Sequence, residues 1–569
     1  MALDCIFHFI PRLYLCIKLI LSLLVIGPFP KTITMKRALL LSLSFCFLLT
    51  LTAQTTNWST DIAPIFYSNC TNCHHDGGLA PFSLLDYQTA YSQRFNILSD
   101  VNNKIMPPWP PDPKYRRFAH ERLLSGTDIA RINDWVTNGA PMGDTTQAPA
   151  KPVYTNASAL GTPDLSLRIP DFTIPANQTN DLYQCFVVHT NLSQTEYITG
   201  IEVIPGNASV VHHVLVYQDT TGQAAINDAN TPEPGYAQFG GIGISNPILV
   251  AGWVPGSQPS FMPNNMGIKV YANSDLVLQI HYPAGSASKL DSTRINFKLS
   301  TGTLRAITLT PILNHFTSIQ NGPLSIPANE VKTFEEYYQL PNLADVTVLS
   351  VAPHCHLIGK SWLSYGITPV GDTIPLVKID NWDFHWQGSY GFRNLLKVPK
   401  HTKLYAFATY DNTNNNPDNP NSPPQNVSVG ESTTDEMMLI YFAYTLYQNG
   451  DENIVTDTSA LVDITDTTIT TGVTELPQNS IVSTPQLYEP VPNPSGNETQ
   501  FSYFLPEQTA NVRVKIYDLN GKLVDELKAT GDSGFNLLKY NTANLQQGNY
   551  LCVLSANSLT RSKNLVVVH

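Results

Sequence analysis

Between residues 166 and 450 the chain is a succession of short apolar or alternating runs: YITGIEVIP, VVHHVLVYQD, LVLQIHYP, VTVLSVAPHCHLIG, KLYAFATYDN and MMLIYFAYTLY. Pro, Gly, Asn or Asp closes each one. Runs so short and so often interrupted cannot sustain helices, and they indicate β-sandwich structure. About 285 residues is long for a single sandwich, so the pattern predicts two in tandem, at 168–310 and 311–450, joined near 305–325.

The flanks read differently. Residues 54–148 carry helical pattern. In SGTDIARINDWVTNGAP, Ser125 or Thr127 can cap a helix, Ile129, Ile132, Trp135 and Val136 share one face, and Gly139 with Pro141 closes it. Residues 149–167 and 451–485 read as linkers by composition, the second rich in Thr. Residues 486–569 read as a small all-β module in which DLNGKLV forms an Asn-Gly hairpin. The expected fold class is multidomain: an all-α N-terminal domain, two tandem β-sandwiches and a small C-terminal β-sandwich.

The chain begins with two apolar runs. MKRALLLSLSFCFLLTLTAQ, from Met35, has the basic start, apolar middle and small residue of a secretory signal, with cleavage near Ala53–Gln54. Residues 1–53 are therefore expected to be leader, with translation starting at Met35. A two-segment membrane anchor is the alternative, but Lys18 interrupts the first run and Pro28 and Pro30 end it. Charged residues are 14% of the chain, against ~25% in typical soluble domains. The net charge of −12, with no block of Lys and Arg, excludes nucleic acid as a partner. Of eight cysteines, three fall in the leader, and the remaining five are too few for a disulfide framework. A Cys185–Cys355 bridge is conceivable.

Two of those five stand in SNCTNCHHDGG. Cys70-x-x-Cys73-His74 has the spacing of c-type haem attachment: the thiols add across the porphyrin vinyls and the adjacent His binds iron. A zinc site would need further ligands, for which His75 and His120 are the candidates. A redox dithiol would not require His74. An exported, helical context favours haem. Met106, in NKIMPPWPPDP, is the expected sixth ligand, and Met142 competes with it. The segment also resembles the small secreted cytochromes c with a Met-Pro-Pro-Trp loop, over most of residues 57–144.

The β region concentrates histidines: His212 and His213, then His281, then His354 and His356. His354 and His356, two apart, project from one face of a strand and can chelate one ion. His212 and His213 would diverge on a regular strand, so sharing an ion requires a bulge or a strand end. A methionine in TTDEMMLIYF adds thioether sulfur and tilts the choice toward copper.

The ordered set His-His, His-Tyr, His-x-His-Leu-x-Gly-Lys and Asp-Glu-Met resembles the copper type II, ascorbate-dependent monooxygenases over about residues 168–450. The resemblance implies two jelly-roll-like domains, one copper in each, and a solvent-filled cleft between them. It implies that His212, His213 and His281 bind an electron-transferring copper. His354, His356 and Met437 would bind the copper that activates O2, with Gln279 and Tyr441 on the electron and substrate paths. Two polar grips on a glycine-extended peptide are replaced, by Ala352 and Leu439. A smaller or more apolar substrate is therefore expected. The last module, through EPVPNPSGNETQFSYFLP and LQQGNYLCVL, resembles the C-terminal sorting domain of type IX secretion. That implies export and contact with the secretion machinery.

The expected activity is hydroxylation of a C–H bond with O2, by a secreted or surface-held enzyme carrying one haem c and two coppers. Its substrate is a small molecule or peptide, and an external donor reduces the haem. A short tether holds the haem segment near the copper domains at about millimolar effective concentration. A non-catalytic haem- and copper-binding surface redox protein is the alternative.

Overall fold

The computed structural model describes residues 56–154 and 158–464. It also describes most of 486–568, leaving out short stretches within that range. The expected leader and residues 465–485 lie outside the described residues.

Helical structure precedes the sheets. A helical turn at Trp58–Ile62 runs into helix Ala63–Asn69, followed by Tyr87–Asn102 and Gly126–Thr137. Asp86 caps the second helix and Ser125 the third, each side chain accepting an N–H of the first turn. Trp58, Ile62, Phe66, Ile132 and Trp135 form their shared core.

The two expected sandwiches share one sheet. Its strands run in the order Leu165–Arg168, Arg294–Ser300, Glu196–Ile204, Met266–Val270, Arg305–Asn314, Leu439–Leu446, Val346–His354 and Tyr390–Val398. Strand Arg305–Asn314 is the seam. Its first residues pair in parallel with Met266–Ile268, and the rest pairs antiparallel with Leu439–Tyr444. The expected break at 310/311 therefore falls inside a strand, because both sandwiches use it. Against this sheet the first sandwich lays strands Tyr236–Ala237, Leu182–His189, Asp275–Tyr282, His213–Asp219 and Ile248–Trp253. The second lays Val331–Gln339, Lys403–Asp411, Gly359–Ile367 and Thr373–Ile379. Each layer pair closes over its own apolar core, Val214, Ile280 and Phe297 in the first, and Val351, Trp362 and Ile440 in the second.

Both expected linkers are partly structured. Leu165–Arg168 is an edge strand, and the Tyr154 ring stacks on His75 with centroids 4.1 Å apart. After residue 450, Asp451 is buried against Arg305 and Thr347, and Asp457 against Arg393. Polar composition signalled a linker, but these carboxylates find cationic partners and can therefore pack.

Residues 107–122 are part of the second sandwich rather than of the helical segment. Pro111 bridges to Ile379 and Phe118 to Phe392. The Arg116 guanidinium lies over the Phe392 ring and donates to the Pro375 carbonyl. Trp109 meets Tyr390 edge-on at 5.5 Å, and Phe118 is 1% exposed inside the sandwich core.

The C-terminal module is a two-sheet sandwich around Phe501, Val514, Ile516 and Leu565. Its strands Thr509–Asp518 and Leu523–Gly531 pair antiparallel, and the expected Asn-Gly turn between them lies outside the described residues. Cys185 and Cys355 are both free thiols, each buried in a different cluster. Among the described residues no helix is long and apolar enough to cross a membrane.

Candidate metal centres

Strand register builds the first centre. His213 opens strand His213–Asp219 and lies opposite His281 in the neighbouring strand. His212 precedes the strand and donates its backbone N–H to the His281 carbonyl at 2.9 Å. The strand end removes the alternation that would have sent His212 and His213 to opposite faces. The Nδ1 atoms of His213 and His281 each lie 3.2 Å from Nδ1 of His212. Among the described residues these three form the group of His, Cys or acidic side chains close enough to share an ion.

Three neutral imidazoles cannot satisfy one another in that arrangement, because each has a single N–H to give. The His281 Nε2 faces Asp181 at 3.4 Å, and a ring proton on that side would leave Nδ1 as a lone pair. Burial holds His212 down to about 3 and pushes His213 well below its usual range. Protons therefore do not fill the gap, and a cation fits it. Thr433, from the second sandwich, donates to Asp181 through both its N–H and its hydroxyl. Tyr183 stacks on His281 at 4.4 Å and donates its hydroxyl to the Glu431 carbonyl.

The second centre stands at the end of strand Val346–His354. Cys355 points into the core, so His354 and His356 share the other side, with ring centroids 5.1 Å apart. His356 Nδ1 meets the Asp435 carbonyl at 3.0 Å, and His354 Nδ1 meets Gln387 Oε1. Both bonds use Nδ1 and leave Nε2 for a metal. Burial lowers His356 to about 3 and His354 to about 4. The buried Glu436 carboxylate accepts N–H groups from His356, Ile358 and Met437, fixing the backbone of two expected ligands at once. The Met437 carbonyl accepts the Tyr410 hydroxyl at 2.6 Å.

The remaining expected residues fall as follows. Tyr441 lies opposite Ala352 in the ladder, and Leu439 lies opposite His354. The Gln279 amide donates to the Gln238 and Gly241 carbonyls, so it holds that loop. Cys70 and Cys73 follow helix Ala63–Asn69, and the His74 N–H donates to the Cys70 carbonyl. His74 Nδ1 meets the Phe82 carbonyl at 3.1 Å, which again leaves Nε2 free. The Met106 N–H donates to the Asp100 carbonyl, and burial lowers the His74 pKa, partly opposed by the Phe82 carbonyl and Asp100. Met142 is 41% exposed, and its carbonyl is taken by Ser59. His75 is stacked on Tyr154, and His120 carries an exposed ring on the 107–122 segment.

Sequence reasoning missed the loop Trp382–Gln387. Phe384, 8% exposed, stacks on His212 at 4.8 Å and meets His356 edge-on at 5.7 Å. One ring thus touches a histidine of each cluster. The available signal was the sequence WDFHWQ itself, aromatic and polar residues crowded into a stretch without strand alternation. Asp181 was missed as well, and no local pattern marks it.

The comparisons with known proteins follow the same division. Residues 165–288 match the copper type II ascorbate-dependent monooxygenase, N-terminal domain. Residues 313–459 match the C-terminal domain of that family, and residues 491–568 match the secretion system C-terminal sorting domain. No curated protein matches. Among solved structures, a Parabacteroides merdae β-glucuronidase with glycerol in its active site is 12% identical, with a TM-score of 0.13 over 42% of this chain and 28% of its own. Dimeric latent PorU from Porphyromonas gingivalis is 11% identical, with a TM-score of 0.13 over 66% of this chain and 34% of its own. Neither likeness bears on fold or function. The chain carries the N- and C-terminal domains of the copper type II ascorbate-dependent monooxygenases, which imply copper, and a type IX secretion sorting domain, which directs it to the cell surface or the medium.

Proposed function

We propose that this protein is a secreted copper monooxygenase that hydroxylates a C–H bond with O2 and draws its electrons through a c-type haem on Cys70, Cys73 and His74. One oxygen atom enters the substrate. The other leaves as water, with two electrons and two protons consumed. The observation that carries the reading is the convergence of the ring nitrogens of His212, His213 and His281 beside a second buried pair at His354 and His356.

Copper, when bound, supplies O2 binding and one-electron chemistry; the protein supplies the rest. His212, His213 and His281 would hold the electron-transferring ion, and His354, His356 and Met437 the O2-activating one. Asp181, Gln387 and the Asp435 carbonyl orient the rings. Ala352 and Leu439, beside Tyr441, offer no charged grip and favour a small or apolar substrate. Haem, when bound, supplies one-electron storage, and Met106 is the better sixth ligand because its side chain is partly buried whereas that of Met142 is 41% exposed.

Metal analysis and an absorption spectrum of protein matured in a haem-c-competent periplasm test this. Two coppers and one haem per chain, with O2 consumed on addition of a reductant and an apolar substrate, are expected. Protein that binds no copper overturns the enzyme. Copper and haem without O2 consumption would leave a surface redox protein instead.

A further inference from the structure

Two segments of the second sandwich each reach both histidine clusters. The first is the turn at residues 382–387. Its Phe384 ring stacks on His212 at 4.8 Å and meets His356 edge-on at 5.7 Å. Gln387 Oε1 pairs with His354 Nδ1, and the Gln387 amide donates to the Phe384 carbonyl at 2.9 Å. One side chain, 8% exposed, thus ties the His354 ring to the residue that covers His212. Asp383 stiffens the turn: its carboxylate accepts the His385 N–H at 2.9 Å and its carbonyl accepts the Trp386 N–H at 3.0 Å.

The second segment is the loop at residues 431–435. The Asp435 carbonyl meets His356 Nδ1 at 3.0 Å. Thr433, two residues earlier, gives its N–H and its hydroxyl to one oxygen of Asp181, whose other oxygen lies 3.4 Å from His281 Nε2. The Glu431 carbonyl accepts the Tyr183 hydroxyl at 2.8 Å, and Tyr183 stacks on His281 at 4.4 Å. This loop therefore positions a ring in each cluster.

An imidazole that takes an ion must keep one ring plane and one tautomer, and the groups behind it set both. Here those groups are shared between the clusters. An ion at His354 and His356 orders the turn and the loop, so Phe384 and Thr433 are already fixed when an ion arrives at His212, His213 and His281. The second ion then loses less conformational entropy than the first. The effect holds in either order and by the same factor, because a coupling free energy between two sites is reciprocal.

We infer that the two histidine clusters load their ions cooperatively, each ion preparing the other cluster through residues 382–387 and 431–435. The inference rests on the copper reading above and needs no haem. Phe384 and Thr433 are positioning residues in it.

The test titrates the full chain with cuprous ion against a competing chelator, without O2. Binding constants are measured for wild type, for His212→Ala/His213→Ala and for His354→Ala/His356→Ala. The product of the two wild-type stepwise constants, divided by the product of the two single-centre constants, is the coupling factor. It is expected to be about tenfold. Phe384→Leu/Thr433→Val leaves all five histidines in place, and it is expected to bring the factor close to one while both centres still load. Each substitution is also measured alone, so a double variant that fails to fold leaves the test intact. A wild-type chain that binds no copper overturns the underlying reading. Two coppers with a coupling factor of one overturn the cooperativity and leave that reading standing. A factor undiminished by Phe384→Leu and Thr433→Val overturns the two segments as its route.

Discussion

The phenyl ring of Phe384 lies 4.8 Å from the imidazole of His212, tilted from it by only 21°. A ring brought by the second sandwich thus covers a histidine held by the first. Its apolar face keeps water from His212 and helps hold that imidazole neutral.

The shielding has a pH signature in the metal-free protein. Burial lowers His212 and His356 to about 3 and His354 to about 4. Above the ordinary imidazole value neither state is protonated and the fold is unaffected. As pH falls from about 6.5 toward 3, the unfolded chain takes up protons that the folded chain refuses. Stability then drops, by up to about 1.4 kcal/mol per pH unit for each histidine. Denaturant titrations of the apo-protein from pH 7 to 4 check this, and copper should raise stability across that range without flattening the slope, because the copper-bound fold takes up no more protons than the apo fold.

Asp181 is the carboxylate behind His281, and Thr433 positions it from across the sandwich boundary. Asp181→Asn should weaken copper at the His212 centre about 10- to 100-fold and leave the other centre loaded. Competition with a chelator, read by copper stoichiometry, measures it.

Glu436 fixes His356 and Met437 through their backbone N–H groups. Glu436→Ala would leave three buried donors unpaired. It should cost on the order of 3 kcal/mol in urea unfolding, with copper lost first from the His354 centre.

Phe118 belongs by sequence to the helical segment, yet it fills the core of the second sandwich beside Phe392 and Tyr390. Phe118→Ala should destabilise that sandwich by about 3–5 kcal/mol. The loss should appear in thermal unfolding even of protein without haem.

The sequence made the clustered histidines legible because they sit in strand-like runs whose order is informative. It also showed that His212 and His213 needed a strand end, and the ladder supplies one at His213. Three features stayed hidden for one reason, that they depend on pairing between distant segments. Strand Arg305–Asn314 belongs to both sandwiches only because Met266–Ile268 reaches it in parallel. Phe384 gains its place only when the two sandwiches meet. Asp451 and Asp457 looked like linker until Arg305 and Arg393 came to them.

The 107–122 segment also imposes an order of assembly. It is made early, but the surfaces that bury it, around Ile379 and Phe392, are made more than 250 residues later. The helical domain can fold while this segment is still loose. Closure of the last strands over Phe118 then locks it down, so a completed second sandwich reports that the first part of the chain has already been threaded.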